Sequence, residues 1–215
     1  QSISRAEFFA LINNTFNLGL TKNLNKALSL AKGDFIARMD ADDISELHRF
    51  DRQMDFFSKN TSVDILGTFS KNINEKGNFI GSRTAPVSHN QIMRVLPKLC
   101  PVAHPTVMFR KNSLERIGFY DDRFRTSQDY DMWFRAAKIG LKFHNLPEYL
   151  LQYRMNDAYV GRKTFKFRWN DFKLRLEGYK HINLPLYKYI YASIPLILGI
   201  IPGSIYNQLK KIDPR

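Results

Sequence analysis

Three aspartates stand together at Asp40-Ala41-Asp42-Asp43, directly after the mostly apolar run 34–39. That run reads as a short buried strand, and D-x-D at a strand's end sets the Asp40 and Asp42 carboxylates on one side of the chain, facing outward. Carboxylates so placed suit Mg²⁺ or Mn²⁺, which takes one or two of them plus phosphate oxygens and neutralises a diphosphate leaving group. They equally suit an Asp-rich turn in which Asp43 or Ser45 caps a following helix. A second pair, Asp129 and Asp131, follows Thr126-Ser127-Gln128 at the start of a helical stretch. Held near a metal, one of them is a general base for an attacking hydroxyl; a capping box and the helix dipole also account for acids in a first turn. The 3.6-residue repeat turns the two about 200° apart, so only one faces a given site, and Asp131 is free to pair with Arg135 one turn on. His104, ahead of Pro105, suits either a cleft wall or an internally bonded core position, and His48, His89, His144 and His181 have no partners at ligand spacing.

The elements that must position these residues follow from periodicity. A helical pattern over 23–32 stops at Gly33, the 34–39 strand follows, and 46–59 reads as a helix with Leu47, Phe50, Met54 and Phe57 on its inner face. A strand over 63–69 closes at Gly67, turn residues over 72–81 give a hairpin or loop, and 90–99 is helical. Pro105 interrupts the strand at 102–109, which argues for an edge or bulge. A helix at 111–117 ends at Gly118, a second runs from 128 to 139 with a capping-box start, and a last strand covers 143–153. Helix and strand alternate as in α/β folds.

The 215 residues, 44% of them hydrophobic, are enough for a real core and exclude disordered and collagen-like classes. One cysteine, Cys100, excludes both a disulfide framework and a Cys-rich metal site and points to a reducing cytoplasm. No secretory signal is read before Phe8. The net charge is +13, and residues 161–215 hold eleven Lys and Arg against three acids, a net +8.

Five blocks carry a family resemblance. N-L-G-L-T-K-N-L-N-K-A-L-S-L-A-K-G-D-F-I-A-R-M-D-A-D-D (17–43), H-R-F-D-R-Q (48–53), V-D-I-L-G-T (63–68), H-P-T-V-M-F-R-K (104–111) and Q-D-Y-D-M-W-F-R-A-A (128–137) resemble, in order and spacing over 17–154, the inverting family 2 of nucleotide-sugar glycosyltransferases. The resemblance implies a GT-A type, Rossmann-like α/β domain that moves a sugar from a nucleoside diphosphate donor to a hydroxyl of a glycan or lipid-linked acceptor, in surface polysaccharide biosynthesis. It implies that Asp40 and Asp42 hold the metal and donor, that Asp129 is the catalytic base, and that Gln128 and His104 contact substrate. Gln128 replaces the family's glutamate beside the base, a change that lowers the base's pKa by removing a like charge. Asn156 stands where the family often has a histidine two residues after Tyr153-Arg154, and gives a weaker oxygen ligand. The family's opening strand and D-D-G-S-type loop are not found, which implies that part of the nucleotide-binding half lies before Gln1. Residues 1–158 are then a partial GT-A domain.

Residues 159–215 read as a helical tail on the membrane interface. Phe165, Trp169, Phe172, Leu176 and Tyr179 recur at helical spacing among Lys and Arg, and 189–206 carries no charge. A membrane span needs about 20 apolar residues; this stretch is shorter and contains Pro195, Gly199, Pro202 and Gly203. An interfacial segment with Trp169, Tyr187, Tyr189 and Tyr191 at headgroup depth fits an anionic membrane better, and a tail packed on the catalytic domain is the remaining reading. Nucleic acid is not expected, since the aromatics form one helical stripe rather than a sheet platform. These features place the protein peripherally on the cytoplasmic face of the cell membrane. An inactive, truncated transferase-like protein that binds membrane or a partner is the alternative.

Overall fold

The computed structural model describes residues 10–155 and 164–200. In chain order these form α1 (Leu20–Leu30), β1 (Phe35–Ala37), β2 (Ile44–Ser45), α2 (Arg49–Lys59), β3 (Ile65–Ile73), β4 (Phe79–Arg83) and α3 (His89–Val95). There follow β5 (Met108–Arg110), α4 (Lys111–Ile117), α5 (Gln128–Lys138), β6 (Phe143–Arg154), α6 (Phe165–His181) and α7 (Ile194–Ile200). The strands make one sheet in the order β1-β5-β3-β6-β2, with β4 added to β3. β3 and β6 run parallel from Ile65↔Phe143 to Ile73↔Arg154, and the other pairs are antiparallel. Successive strand residues point to opposite faces. Ile65 and Phe109 accordingly join a large core around Trp133, while Leu66 and Met108 join a smaller one with Phe57, Leu146 and Leu150.

Several expectations shift on inspection. β3 does not close at Gly67 but runs on to Ile73. Gly67 is needed there because a Cβ would collide with Asn145 Oδ1 and lie 2.8 Å from Val102 Cγ1. α2 begins at Arg49, since Ile44 and Ser45 pair with β6 instead. Its buried residues are Arg49, Gln53 and Phe57, and Leu47, Phe50 and Met54 are exposed, because the two polar side chains are internally hydrogen-bonded. Neither Asp43 nor Ser45 caps α2, whose N-cap position is His48. Pro105 lies in a 3₁₀ turn at His104–Thr106 ahead of β5, and β5 is an interior strand between β1 and β3. Ser127, at φ 58°, makes no side-chain cap, so α5 opens without a capping box.

The boundary expected near 158 falls in residues 156–163, outside the described residues. Beyond it, α6 packs on α5. Leu174, Tyr179 and Ala192 share the core of Trp133, and the Tyr179 hydroxyl donates to Pro97 O at 2.6 Å. Arg175 is buried, bonding the carbonyls of Pro97 (3.3 Å) and Lys98 (2.7 Å). Of the expected aromatic stripe, Tyr179 is buried and Phe172 and Leu176 are half-buried, while Phe165 and Trp169 remain exposed. Among the described residues no helix is long and apolar enough to cross a membrane.

Candidate functional site

Arg38, just past β1, organises the site. It is buried, its N–H donates to Val107 O at 3.0 Å, and its guanidinium forms an ion pair with Asp40. Its carbonyl accepts from Arg49 Nη2 at 2.9 Å, Arg49 Nε donates to Gln53 Oε1 at 3.1 Å, and Gln53 Nε2 reaches Leu66 O (3.3 Å) and Thr106 O (3.0 Å). This chain of bonds ties the D-x-D segment to β3 and to the turn before β5. Burial and the charge of Arg38 push the Arg49 pKa down to about 10, against the pull of Asp43.

Asp42 is exposed, and its carbonyl accepts from Arg154 Nε at 2.8 Å. Asp43 is buried: Oδ1 accepts the Arg154 N–H at 2.9 Å, and Oδ2 has no partner among the described residues. Burial, reinforced by repulsion from Asp40 and Asp42, raises the Asp43 pKa to about 6 despite the Arg154 bond and the charge of Arg38. Among the described residues no three His, Cys, Asp or Glu side chains form a cage for a metal. Asn156 lies outside the described residues. With Asp40 paired to Arg38 and Asp42 exposed, a cation at this turn would need further oxygen ligands such as those of a phosphate.

The second acidic pair divides its duties. Asp131 is buried and bonded by Arg135 Nε at 2.7 Å. Asp129 is half-buried, its Oδ2 3.7 Å from the Cys100 thiol. Burial raises its pKa, opposed by the Tyr130 N–H, the charge of Arg38, the Cys100 thiol and its own N–H. The uncharged Gln128 before it in the chain is also buried. The charge of Arg38, the ion-pair partner of Asp40, is one of those acting on Asp129. His104 is a core residue, its Nε2 2.6 Å from the Tyr120 hydroxyl, and burial holds its pKa well below the usual imidazole range.

Beside Asp129 opens a cavity of about 970 Å³, walled by β4, the 84–87 segment, α3, Cys100 and the ends of β3 and β6. Asn145 braces it: Nδ2 donates to Pro86 O (2.7 Å) and Pro101 O (3.0 Å), and its N–H to Val87 O (2.9 Å). Sequence reasoning missed Arg38 and the cavity's Arg83 and Arg94. The one available signal for Arg38 was a charge inside an otherwise apolar strand pattern.

A mixed sheet with a D-x-D turn and an acidic helix start defines a class, and comparison with known proteins agrees. Residues 3–118 match the family model described as Glycosyl transferase family 2. The chain is 32% identical over 203 residues to "Putative glycosyltransferase EpsE" of Bacillus subtilis, covering 94% of this chain and 72% of that one. It is 37% identical over 156 residues to the Escherichia coli "O-antigen biosynthesis glycosyltransferase WbnJ", covering 71% and 60%. Its fold is similar to that of S. aureus TarS 1–349 in complex with UDP, with TM-score 0.58 and 18% identity over 83% of this chain; it spans about half, 51%, of that chain. The chain belongs to glycosyl transferase family 2, a family of sugar-transferring enzymes, and its α/β fold is of the GT-A type.

Proposed function

We propose that this chain catalyses transfer of a sugar, with inversion, from a nucleoside diphosphate donor to a hydroxyl of a glycan or lipid-linked acceptor in surface polysaccharide biosynthesis. One observation carries the reading: Asp129 Oδ2 lies 3.7 Å from the thiol of Cys100, which lines an open cavity, and Asp129 feels the charge of Arg38, the ion-pair partner of Asp40. The acceptor hydroxyl attacks the anomeric carbon, the bond to the diphosphate oxygen breaks with its electron pair leaving on the diphosphate, and the hydroxyl proton passes to Asp129. Burial raises the proton affinity of Asp129, which suits it to that task. Asp40 and Asp42, with Asn156, would hold Mg²⁺ or Mn²⁺; when bound, the cation offsets the negative charge of the leaving diphosphate. The exposed Asp42, and Asp43 Oδ2, which has no partner among the described residues, support a cation at this turn. Gln128, buried next to the base in the chain, and His104, held at 2.6 Å by the Tyr120 hydroxyl, act as support for the site rather than as ligands of the substrate.

The relatives' names favour surface polysaccharide as the product class, and the TarS complex favours a nucleoside diphosphate donor. The C-terminal layer favours an anionic membrane surface on the cytoplasmic side as a partner. Phe165, Trp169, Leu186, Tyr187 and Ile190 are exposed there, with Lys173 and Lys188 over the rings of Trp169 and Tyr187. Calorimetric titration of UDP with and without Mn²⁺ tests the reading. Mn²⁺-dependent binding that is lost in Asp42→Ala supports it; metal-independent or absent binding leaves the chain a transferase-like binding protein.

A further inference from the structure

We propose that Cys100 is a positioning residue for Asp129: its thiol hydrogen bonds Oδ2 while the carboxylate is ionised and turns to Val102 O once the carboxylate takes up a proton. This rests on the reading of Asp129 as the base. Cys100 Sγ stands 3.7 Å from Asp129 Oδ2 and 3.5 Å from Val102 O. A thiol has one hydrogen to donate, so it serves one of these acceptors at a time. A charged carboxylate draws it more strongly than a neutral carbonyl does, and neutralising the carboxylate removes that preference.

The surroundings hold the thiol to this task. Trp133 is fully buried, and its indole N–H finds no nitrogen or oxygen partner among the described residues. What it acts on is the Cys100 sulfur, whose pull on the proton it weakens. The backbone around the thiol is fixed as well: Pro101 restricts Cys100 to extended conformations, Asn145 Nδ2 donates to Pro101 O at 3.0 Å, and Thr106 Oγ1 donates to Ala103 O at 2.7 Å. Burial, followed by the charge of Asp129, raises the thiol pKa well above its ordinary value against Arg83 on β4, Trp133 and Val102, so the hydrogen is in place wherever Asp129 titrates. Arg38, the Tyr130 N–H and the N–H of Asp129 itself also act on the carboxylate, and the Tyr120 hydroxyl, which burial keeps protonated, feels its charge. A thiol is a weak donor, so it orients Asp129 and leaves it basic. A guanidinium, such as the one Arg135 sets on Asp131, would hold the ionised form more firmly.

The test needs no sugar donor. The chain has one cysteine, so infrared spectra of the full chain carry one S–H stretching band, and ¹³C NMR with Cγ-labelled aspartate follows Asp129, its signal assigned by its loss in Asp129→Asn. As pH rises through the Asp129 titration the S–H band should move to lower frequency, and in Asp129→Asn it should stay in place. Movement driven by Asp43, whose pKa is about 6, would persist in Asp129→Asn and overturn the proposal. Removing the donor in Cys100→Ala should raise the Asp129 pKa by about half a pH unit or more, because a hydrogen bond to the charged form is lost. Cys100→Ser, which keeps a donor, should bring it back to the wild-type value or below, with the Asp131 signal unmoved. A band that ignores pH, an Asp129 pKa equal in wild type and Cys100→Ala, or a serine variant that behaves as the alanine one overturns the proposal. Coupled movement of band and carboxyl in a protein whose Asp129→Asn variant transfers sugar at the wild-type rate would instead sink the base reading and leave the thiol–carboxylate bond standing.

Discussion

Arg135 donates from Nε to Asp131 Oδ2 at 2.7 Å and directs its other nitrogens to the carbonyls of Ile117 and Phe119, at 2.8 and 2.7 Å. The Asp131 carboxylate is thereby committed to fixing α5 against the end of α4, whereas Asp129 Oδ2 lies against the thiol of Cys100, which lines the cavity. Asp129→Asn should lower the transfer rate by about 10² to 10⁴, the usual worth of general-base help, with UDP–Mn²⁺ affinity unchanged. Asp131→Asn should instead destabilise the fold by about 1.5–3 kcal/mol through its weakened charge-assisted bond and keep most of the turnover in the folded fraction. Thermal melts beside steady-state rates separate the two, and a reversed pattern would move the base to Asp131.

Because burial raises the Asp129 pKa, kcat/KM should climb with pH along a limb lying above the ordinary aspartate value of about 3.9. The sign for stability is opposite. A carboxyl whose folded pKa is raised stabilises the fold while protonated and loses that contribution as pH rises through the folded value. At pH 7 Asp129→Asn should therefore melt no lower than the wild type. A lower melting temperature would show that the ionised carboxylate holds the fold together.

Strands β1, β3 and β6 were legible in the sequence because apolar runs and turn residues mark them directly, whereas the two-residue β2 carries no period to read. Nor was the inner face of α2 legible. Periodicity selected Leu47, Phe50 and Met54, whereas Arg49 and Gln53 are buried because their side-chain hydrogen bonds go to partners on other elements, at Arg38, Leu66 and Thr106, or to each other. Hydrophobic patterning cannot reveal a buried polar pair whose partners lie on other elements. The stripe on α6 held only in part for a related reason: Leu174, Arg175 and Gly178 are buried beside its Tyr179, and a glycine and an arginine contribute nothing to an apolar period.

That contact face makes its own prediction. A Cβ on Gly178 would strike the ring of Phe134, which is fully buried and has no room to withdraw. Alanine at this helical position ordinarily gains up to about 1 kcal/mol over glycine, but overpacking a core costs about 1–3 kcal/mol. Gly178→Ala should lower the melting temperature, and adding Phe134→Leu should restore part of the loss. A stabilised Gly178→Ala protein would mean that α6 is not seated on α5 in solution.

The membrane reading must be tested without deleting the C-terminal region, since Leu174, Tyr179 and Ala192 belong to the main core and their removal would unfold the chain. Exposed positions avoid this difficulty: Leu186 and Ile190 are 81% and 67% exposed, so Leu186→Ser and Ile190→Ser leave the packed face intact. Each large aliphatic side chain that enters the bilayer contributes about 1.5–3 kcal/mol, so the double variant should bind phosphatidylglycerol vesicles at least tenfold more weakly in sedimentation assays. Lys173 and Lys188 add an electrostatic part of about 1 kcal/mol for each charge near the surface, which falls with ionic strength. Raising salt should therefore weaken the wild type and leave its apolar part, while the serine variant should lose nearly all binding. Vesicle binding by the wild type that is insensitive both to salt and to the two serines would show that this face does not meet the membrane.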